Sequence, residues 1–149
     1  MDVNYRKITK TDYNKCADVL VAAYSGDPWY NTWTPEEALL RIEATMSGFN
    51  AKGYVVELDG EIIGMCLGRI DYYYSNWSQF IVDEFNVLPN FQGKGVGAKL
   101  LDFVSNLLKQ DKIERMFLIT GGSMAAKFYE KNGFDKSDDG TMMTMELQI

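Results

Sequence analysis

The segment Val87-Leu88-Pro89-Asn90-Phe91-Gln92-Gly93-Lys94-Gly95-Val96-Gly97 constrains the fold more than any other part of this chain. Before it, Gln79 to Leu88 is rich in Phe, Ile and Val and reads as a strand, stopped by Pro89, which cannot donate to a ladder. After it, Leu100, Phe103, Val104, Leu107 and Leu108 recur at helical spacing, which predicts a helix of about four turns burying that face. A strand therefore runs through glycines into a helix. First-turn amides lack intrahelical partners, glycines permit close approach, and the helix dipole is positive there, so the segment forms an anion cradle suited to a diphosphate.

Several phosphate-binding patterns compete for such a loop. The P-loop pattern Gly-x-x-x-x-Gly-Lys-Ser/Thr is absent. The dinucleotide fingerprint is met in relaxed form by Gly93-x-Gly95-x-x-Ala98, with Glu114 near the place of the ribose-binding acid. Its context differs, however: Pro89 to Gln92 stand between strand and glycines, and too little chain follows Gly97 for a doubly wound sheet. The plain structural alternative is a helix start whose glycines serve tight packing.

The remaining punctuation gives the element order. Val3 to Thr9 reads as a strand, Thr11 or Asp12 caps a helix through Cys16, Val19, Leu20 and Ala23, and Ser25-Gly26-Asp27-Pro28 breaks it. Thr34-Pro35-Glu36-Glu37 starts a second helix, to about Ser47. Tyr54 to Leu58 and Glu61 to Ile70 form a hairpin about Asp59-Gly60. Arg115 to Thr120 is a strand, Ser123 caps a short helix that ends at Asn132-Gly133, and Phe134 to Leu147 reads as a hairpin about Asp139-Gly140. The expectation is an α/β fold in one domain spanning residues 1–149, a mixed sheet of about seven strands flanked by about four helices.

Composition narrows the chemistry. The 149 residues, 46% hydrophobic, suffice for one core. There is no histidine, which removes Ser-His-Asp and Cys-His catalysis and histidine-bound zinc. Cys16 and Cys66 are isolated, so two reduced thiols and no metal site are expected. A net charge of -6 argues against a nucleic-acid partner and favours a cationic one. No run approaches the ~18–20 apolar residues of a membrane span, and the N-terminus lacks signal-peptide order, so a soluble cytoplasmic protein is expected.

Two motifs together resemble one family. Gln92-x-x-Gly95-x-Gly97 after a strand ending Val87-x-Pro89, followed by Ala125-x-x-Phe128-Tyr129-Glu130-Lys131-x-Gly133-Phe134, is similar to the GNAT superfamily of N-acetyltransferases, and the element order resembles that fold. The resemblance implies transfer of acetyl from acetyl-CoA to a primary amine by direct attack in a ternary complex. It implies that backbone at Phe85, Asn86 and Val87 pairs with the pantetheine arm, and that Gln92, Gly93, Lys94, Gly95, Val96 and Gly97 take the diphosphate. It implies that Tyr129 protonates the leaving thiolate, the other reading of Tyr129 being a core aromatic between Phe128 and Phe134. Where members often carry a pantetheine-binding asparagine, this chain has Gly122; Ser123 substitutes in the implied scheme, with Lys127 reaching a phosphate.

An attacking amine must first lose a proton, and Glu84, in the strand beside the thioester, is the candidate base, with a water relay or a substrate-steering carboxylate as the alternatives. Strand alternation puts Glu84 on the face of Asn86, opposite Phe85 and Val87. Tyr24, Asp27, Trp29, Tyr30 and Trp33, with Tyr72 and Tyr73, lie in the regions that in this family build the acceptor pocket, and aromatic faces with a few acids suit a cationic amine. The same aromatics also suit a core or a homodimer contact. A non-enzymatic acyl-CoA-binding regulatory module is the alternative function.

Overall fold

The computed structural model describes residues 2–149. Nine regular elements follow in order: β1 (Asn4–Lys7), α1 (Tyr13–Ser25), α2 (Pro35–Thr45), β2 (Ala51–Leu58), β3 (Glu61–Tyr72), β4 (Ser78–Val87), α3 (Val96–Gln110), β5 (Arg115–Phe117) and α4 (Ser123–Lys131), with short 3-10 turns between some of them. Met1–Ile119 form one compact unit and Thr120–Ile149 a second.

The first unit holds a five-stranded sheet in the order β1-β2-β3-β4-β5. All neighbours pair antiparallel except β4 with β5, which are parallel and joined through α3, so the sheet is mixed as expected. Strand alternation splits its side chains between two cores. Tyr54, Cys66, Ile70 and Phe80 pack with Val96, Leu100, Val104 and Leu108 of α3. Val55, Met65 and Leu67 pack with Cys16, Val19 and Leu20 of α1 and Ala38 and Ile42 of α2. Both sheet faces are thus covered, which is why β3 is almost wholly apolar rather than alternating. The two cysteines are fully buried, one in each core.

Local signals account for most boundaries. Asp59 and Gly60 adopt φ of 51° and 80°, the left-handed pair that a two-residue hairpin turn requires. Thr34 Oγ1 accepts from Glu37 N at 3.1 Å and Glu37 Oε1 accepts from Thr34 N at 2.8 Å, a reciprocal cap that starts α2 at Pro35. Asp12 precedes α1, but its carboxylate is used elsewhere: it accepts from Thr9 N at 2.8 Å and takes both terminal nitrogens of Arg6 at 2.8 and 2.9 Å. That pairing holds its carboxyl at about 2.

The structure corrects the sequence reading at two places. Ser123 is the first residue of α4 rather than its cap, the cap position being Gly122 without a side-chain bond. The hairpin expected over Phe134 to Leu147 does not form, so the sheet has five strands and not about seven. Met143, Met145, Leu147 and Ile149 alternate as strand residues do, yet all are exposed; without a strand to pair with and a face to bury, period-2 patterning has nothing to stabilise it. In the second unit the rings of Phe128, Tyr129 and Phe134 pack edge to face, and Gly133 at φ 98° ends the helix as its type predicts.

Candidate functional site

The glycine segment leaves β4 through a 3-10 turn, Pro89–Phe91, and enters α3 at Val96. Gly93 and Gly95 hold φ of 74° and 84°, and a Cβ at either would meet nothing within 4 Å. Glycine is required there by backbone conformation, and the space beside the loop is open. Gly95 occupies the cap position of α3 and no side chain caps the helix, so its first amides point outward without a side-chain acceptor. Gln92 Nε2 donates to the Val87 carbonyl at 2.9 Å, tying the loop to the strand end. Lys94 Nζ lies 5.7 Å from the centre of the Phe91 ring, and the Val96 side chain is buried among the α3 core residues, so only its backbone belongs to the loop surface.

Beside this loop β4 is irregular in two ways. Leu67 pairs with Glu84 but Gly68 with Val82, which leaves Asp83 as an extra, bulged residue. Alternation therefore shifts: Phe80 and Val82 face the α3 core, and so do Phe85 and Val87, while Glu84 turns toward α1 and α2. Gly68 lies opposite the bulge because an added Cβ would strike the Ile81 carbonyl and the Phe80 ring. Pairing with β5 spans only Gln79 to Ile81, so the two parallel strands part before β4 reaches Glu84.

Glu84 is the centre of a buried polar cluster. It is 6% exposed, accepts from Tyr24 Oη at 2.9 Å on Oε1, and accepts on Oε2 from Arg41 Nε at 3.0 Å and Nη2 at 2.9 Å. Arg41 Nη2 also donates to the Asp83 carbonyl at 3.3 Å. Burial, followed by the neighbouring Glu84 charge, pushes the Tyr24 phenol up to about 12. Asn86, on the same face of β4 two residues on, is 8% exposed, and its Oδ1 is buried with no donor.

Of the residues expected at an acceptor pocket, Tyr24, Trp29 and Trp33 come together. The Tyr24 ring lies 5.7 Å from Trp29 and 6.2 Å from Trp33, and the turn after α1 is closed by Trp29 N and Tyr30 N donating to the Gly26 carbonyl. Asp27 and Tyr30 are in that turn, but both side chains are exposed, Tyr30 by 71%. Tyr72 and Tyr73 belong to a different group, at the β3–β4 connection: Tyr72 stacks on Phe49 at 6.3 Å, and Tyr73 contacts Tyr74 and Trp77. In the second unit Tyr129 is half-buried between Phe128 and Phe134, and Ser123 and Lys127 are exposed.

Arg41 was not legible as part of a site. It lies in the stripe Ala38, Arg41, Ile42, Thr45 of α2, whose first and third members are buried; a charge within such a stripe is the signal that marks it. Among the described residues no helix is long and apolar enough to cross a membrane.

Comparison with known proteins adds a family to this geometry. A family model described as an acetyltransferase (GNAT) domain matches residues 50–136, more than half of the chain. No curated protein matches by sequence. Among solved structures, the chain is similar to a possible acetyltransferase from Clostridium difficile 630 (13% identity, TM-score 0.83, covering 98% of this chain and 99% of that one). It is also similar to AAC(6')-Iy in complex with the bisubstrate analogue CoA-S-monomethyl-acetylneamine (18% identity, TM-score 0.76, covering 99% and 100%). A third is glucosamine-6-phosphate N-acetyltransferase from Arabidopsis thaliana (19% identity, TM-score 0.71, covering 98% and 100%). At these identities the likeness is one of fold.

Proposed function

The chain belongs to the GNAT acetyltransferase family, and from that premise we propose that residues 1–149 act as one N-acetyltransferase domain, transferring acetyl from acetyl-CoA to a primary amine of a small molecule or peptide by direct attack in a ternary complex. The observation that carries the reading is the parting of β4 from β5 after Ile81, in the strand that leads through the turn Pro89–Phe91 to a loop whose left-handed glycines open onto the uncapped start of α3. A strand gap beside an anion cradle suits a donor with an amide-bearing arm and a diphosphate. On this reading the arm runs beside Phe85, Asn86 and Val87, and the amides from Gln92 to Gly97 hold the diphosphate with Lys94 adding charge. Ser123 and Lys127, in the second unit, are the residues the family resemblance assigns to the arm and a phosphate.

The amine nitrogen attacks the thioester carbonyl, the C–S bond breaks, the nitrogen sheds its second proton as the amide forms, and the departing thiolate takes one up, the family resemblance making Tyr129 the acid that gives this proton and is then reprotonated by the one the nitrogen sheds. Glu84, or a water next to it, accepts the proton the ammonium loses before attack. The aromatic group of Tyr24, Trp29 and Trp33 supports a cationic acceptor, because ring faces beside a buried carboxylate favour an ammonium.

The test is acetyl-CoA binding by calorimetry together with thiol release across a broad amine panel. Cys16 and Cys66 are both wholly buried, and burial raises both thiols, so the thiol detected is the coenzyme's. Neither binding nor release with any amine would sink the reading. A second reading, a non-enzymatic acyl-CoA-binding regulatory module, is favoured by one observation: in the free protein both oxygens of Glu84 are already occupied, by Tyr24 and Arg41. Tight acetyl-CoA binding with no transfer and no slow thioester hydrolysis would select it.

A further inference from the structure

The cluster around Glu84 contains a mismatch between donors and acceptors. A buried carboxylate needs a cation, and Arg41 supplies it. A buried carbonyl oxygen needs a donor, and Asn86 Oδ1 has none. Glu84 and Asn86 stand two residues apart on the same face of β4, and Glu84 accepts from the Tyr24 phenol, so the two acceptors lie within one small polar site. Arg41 reaches this site from α2 with its side chain still 39% exposed, whereas the Glu84 side chain is 6% exposed. The guanidinium therefore has an open route to water and satisfies only one of the two acceptors.

A primary ammonium meets both demands. It carries three N–H donors on one compact centre, enough for Glu84 Oε2 and Asn86 Oδ1 together, while its alkyl chain lies against the Tyr24, Trp29 and Trp33 rings. We propose that Arg41 holds the place of the acceptor in the free protein, and that a primary alkylammonium displaces its guanidinium from Glu84 and donates to Glu84 and Asn86. The exchange is neutral in charge, since one cation leaves Glu84 as another arrives. It also selects for N–H donors: a quaternary ammonium offers the same charge to the rings but nothing to Asn86. This inference rests on the acetyltransferase reading for the identity of the site as the acceptor's, and it names the class of acceptor and the residue that gates its entry.

The experiment is a titration of the whole chain with n-butylammonium, followed by the indole N–H signals of Trp29 and Trp33 in NMR spectra, with n-butyltrimethylammonium and n-butanol as controls. The primary ammonium binds, and both controls bind at least about tenfold more weakly, the loss of one or two charge-assisted hydrogen bonds. Arg41→Gln tightens n-butylammonium binding roughly five- to tenfold, because the open form is no longer depleted by the internal pair. Asn86→Leu weakens it in both backgrounds. A further readout needs no variant: in the wild-type chain the Arg41 Nε–H signal moves toward its solvent value as n-butylammonium is added and stays in place with the quaternary ion. Unchanged or weaker binding in a folded Arg41→Gln, equal binding of the quaternary ion, or an unmoved Arg41 signal at saturation would each overturn the proposal. Thiol release from acetyl-CoA is read separately. Amine transfer with Arg41 unmoved rejects this gate alone, and ammonium binding without any donor binding rejects the enzyme reading alone.

Discussion

Replacing Gly95 by alanine tests whether the loop before α3 is held in the conformation that exposes its amides. Gly95 sits at φ 84° and ψ 0°, at the cap of α3, and an added Cβ would meet no atom within 4 Å. The substitution therefore creates no collision, and its cost is the left-handed backbone alone, about 1–2 kcal/mol for an L-residue. Alanine also restricts the unfolded chain, which returns about 0.4–1 kcal/mol. The net loss is about 1 kcal/mol, a fall of about 3 °C in Tm for a chain of this length. Gly95→Asn, which tolerates this region, loses less than half as much. Gly121→Ala, also in open space but at ordinary φ, is the control and loses nothing. Acetyl-CoA affinity in Gly95→Ala falls by roughly tenfold, the worth of one close amide contact. Thermal melts and calorimetry on the three variants decide the matter. Gly95→Ala as stable as wild type would refute the claim that this backbone position demands glycine.

Three further outcomes follow from single contacts. Asp12→Asn destabilises by about 2 kcal/mol, from a carboxyl moved from 3.8 to about 2 chiefly by Arg6. Because the folded value is the lower one, that stability is complete above about pH 4 and is lost as pH falls toward 2, so acid titration of the variant by circular dichroism shows a flatter decline over that window. Gly68→Ala drives a Cβ into the Ile81 carbonyl and lowers stability by about 3 kcal/mol, visible as a reduced urea midpoint; a wild-type midpoint would contradict the tight approach at the bulge. Glu84→Gln costs about 1 kcal/mol rather than the larger figure for a fully buried pair, since Arg41 can turn to water. In that variant the Tyr24 phenol, followed by carbon NMR, drops from about 12 yet stays above 10, because burial is its largest cause and is unchanged.

What the sequence carried by itself was the punctuation that acts within a few residues. Thr34-Pro35-Glu36-Glu37 caps its own helix, Asp59-Gly60 turns its own hairpin, and Gly93 and Gly95 permit their own left-handed backbone, so each could be read without knowing the fold. The two motifs flanking α3 likewise identified the family. Other features depend on residues far apart in the chain. The bulge at Asp83 shifts β4 by one residue, and strand alternation alone does not reveal it, since it arises where Gly68 of β3 lets the chains close up. The alternating residues from Met143 to Ile149 carry the period of a strand, but a strand exists only where another offers its edge. Glu84 was legible as a carboxylate in the right strand; its burial under Tyr24 and its pairing with Arg41, which begins 43 residues earlier, were decided by packing α1 and α2 on the sheet. Local hydrogen bonds and backbone sterics are written residue by residue, whereas the environment of a buried charge is set by whichever distant side chains the tertiary structure brings to it.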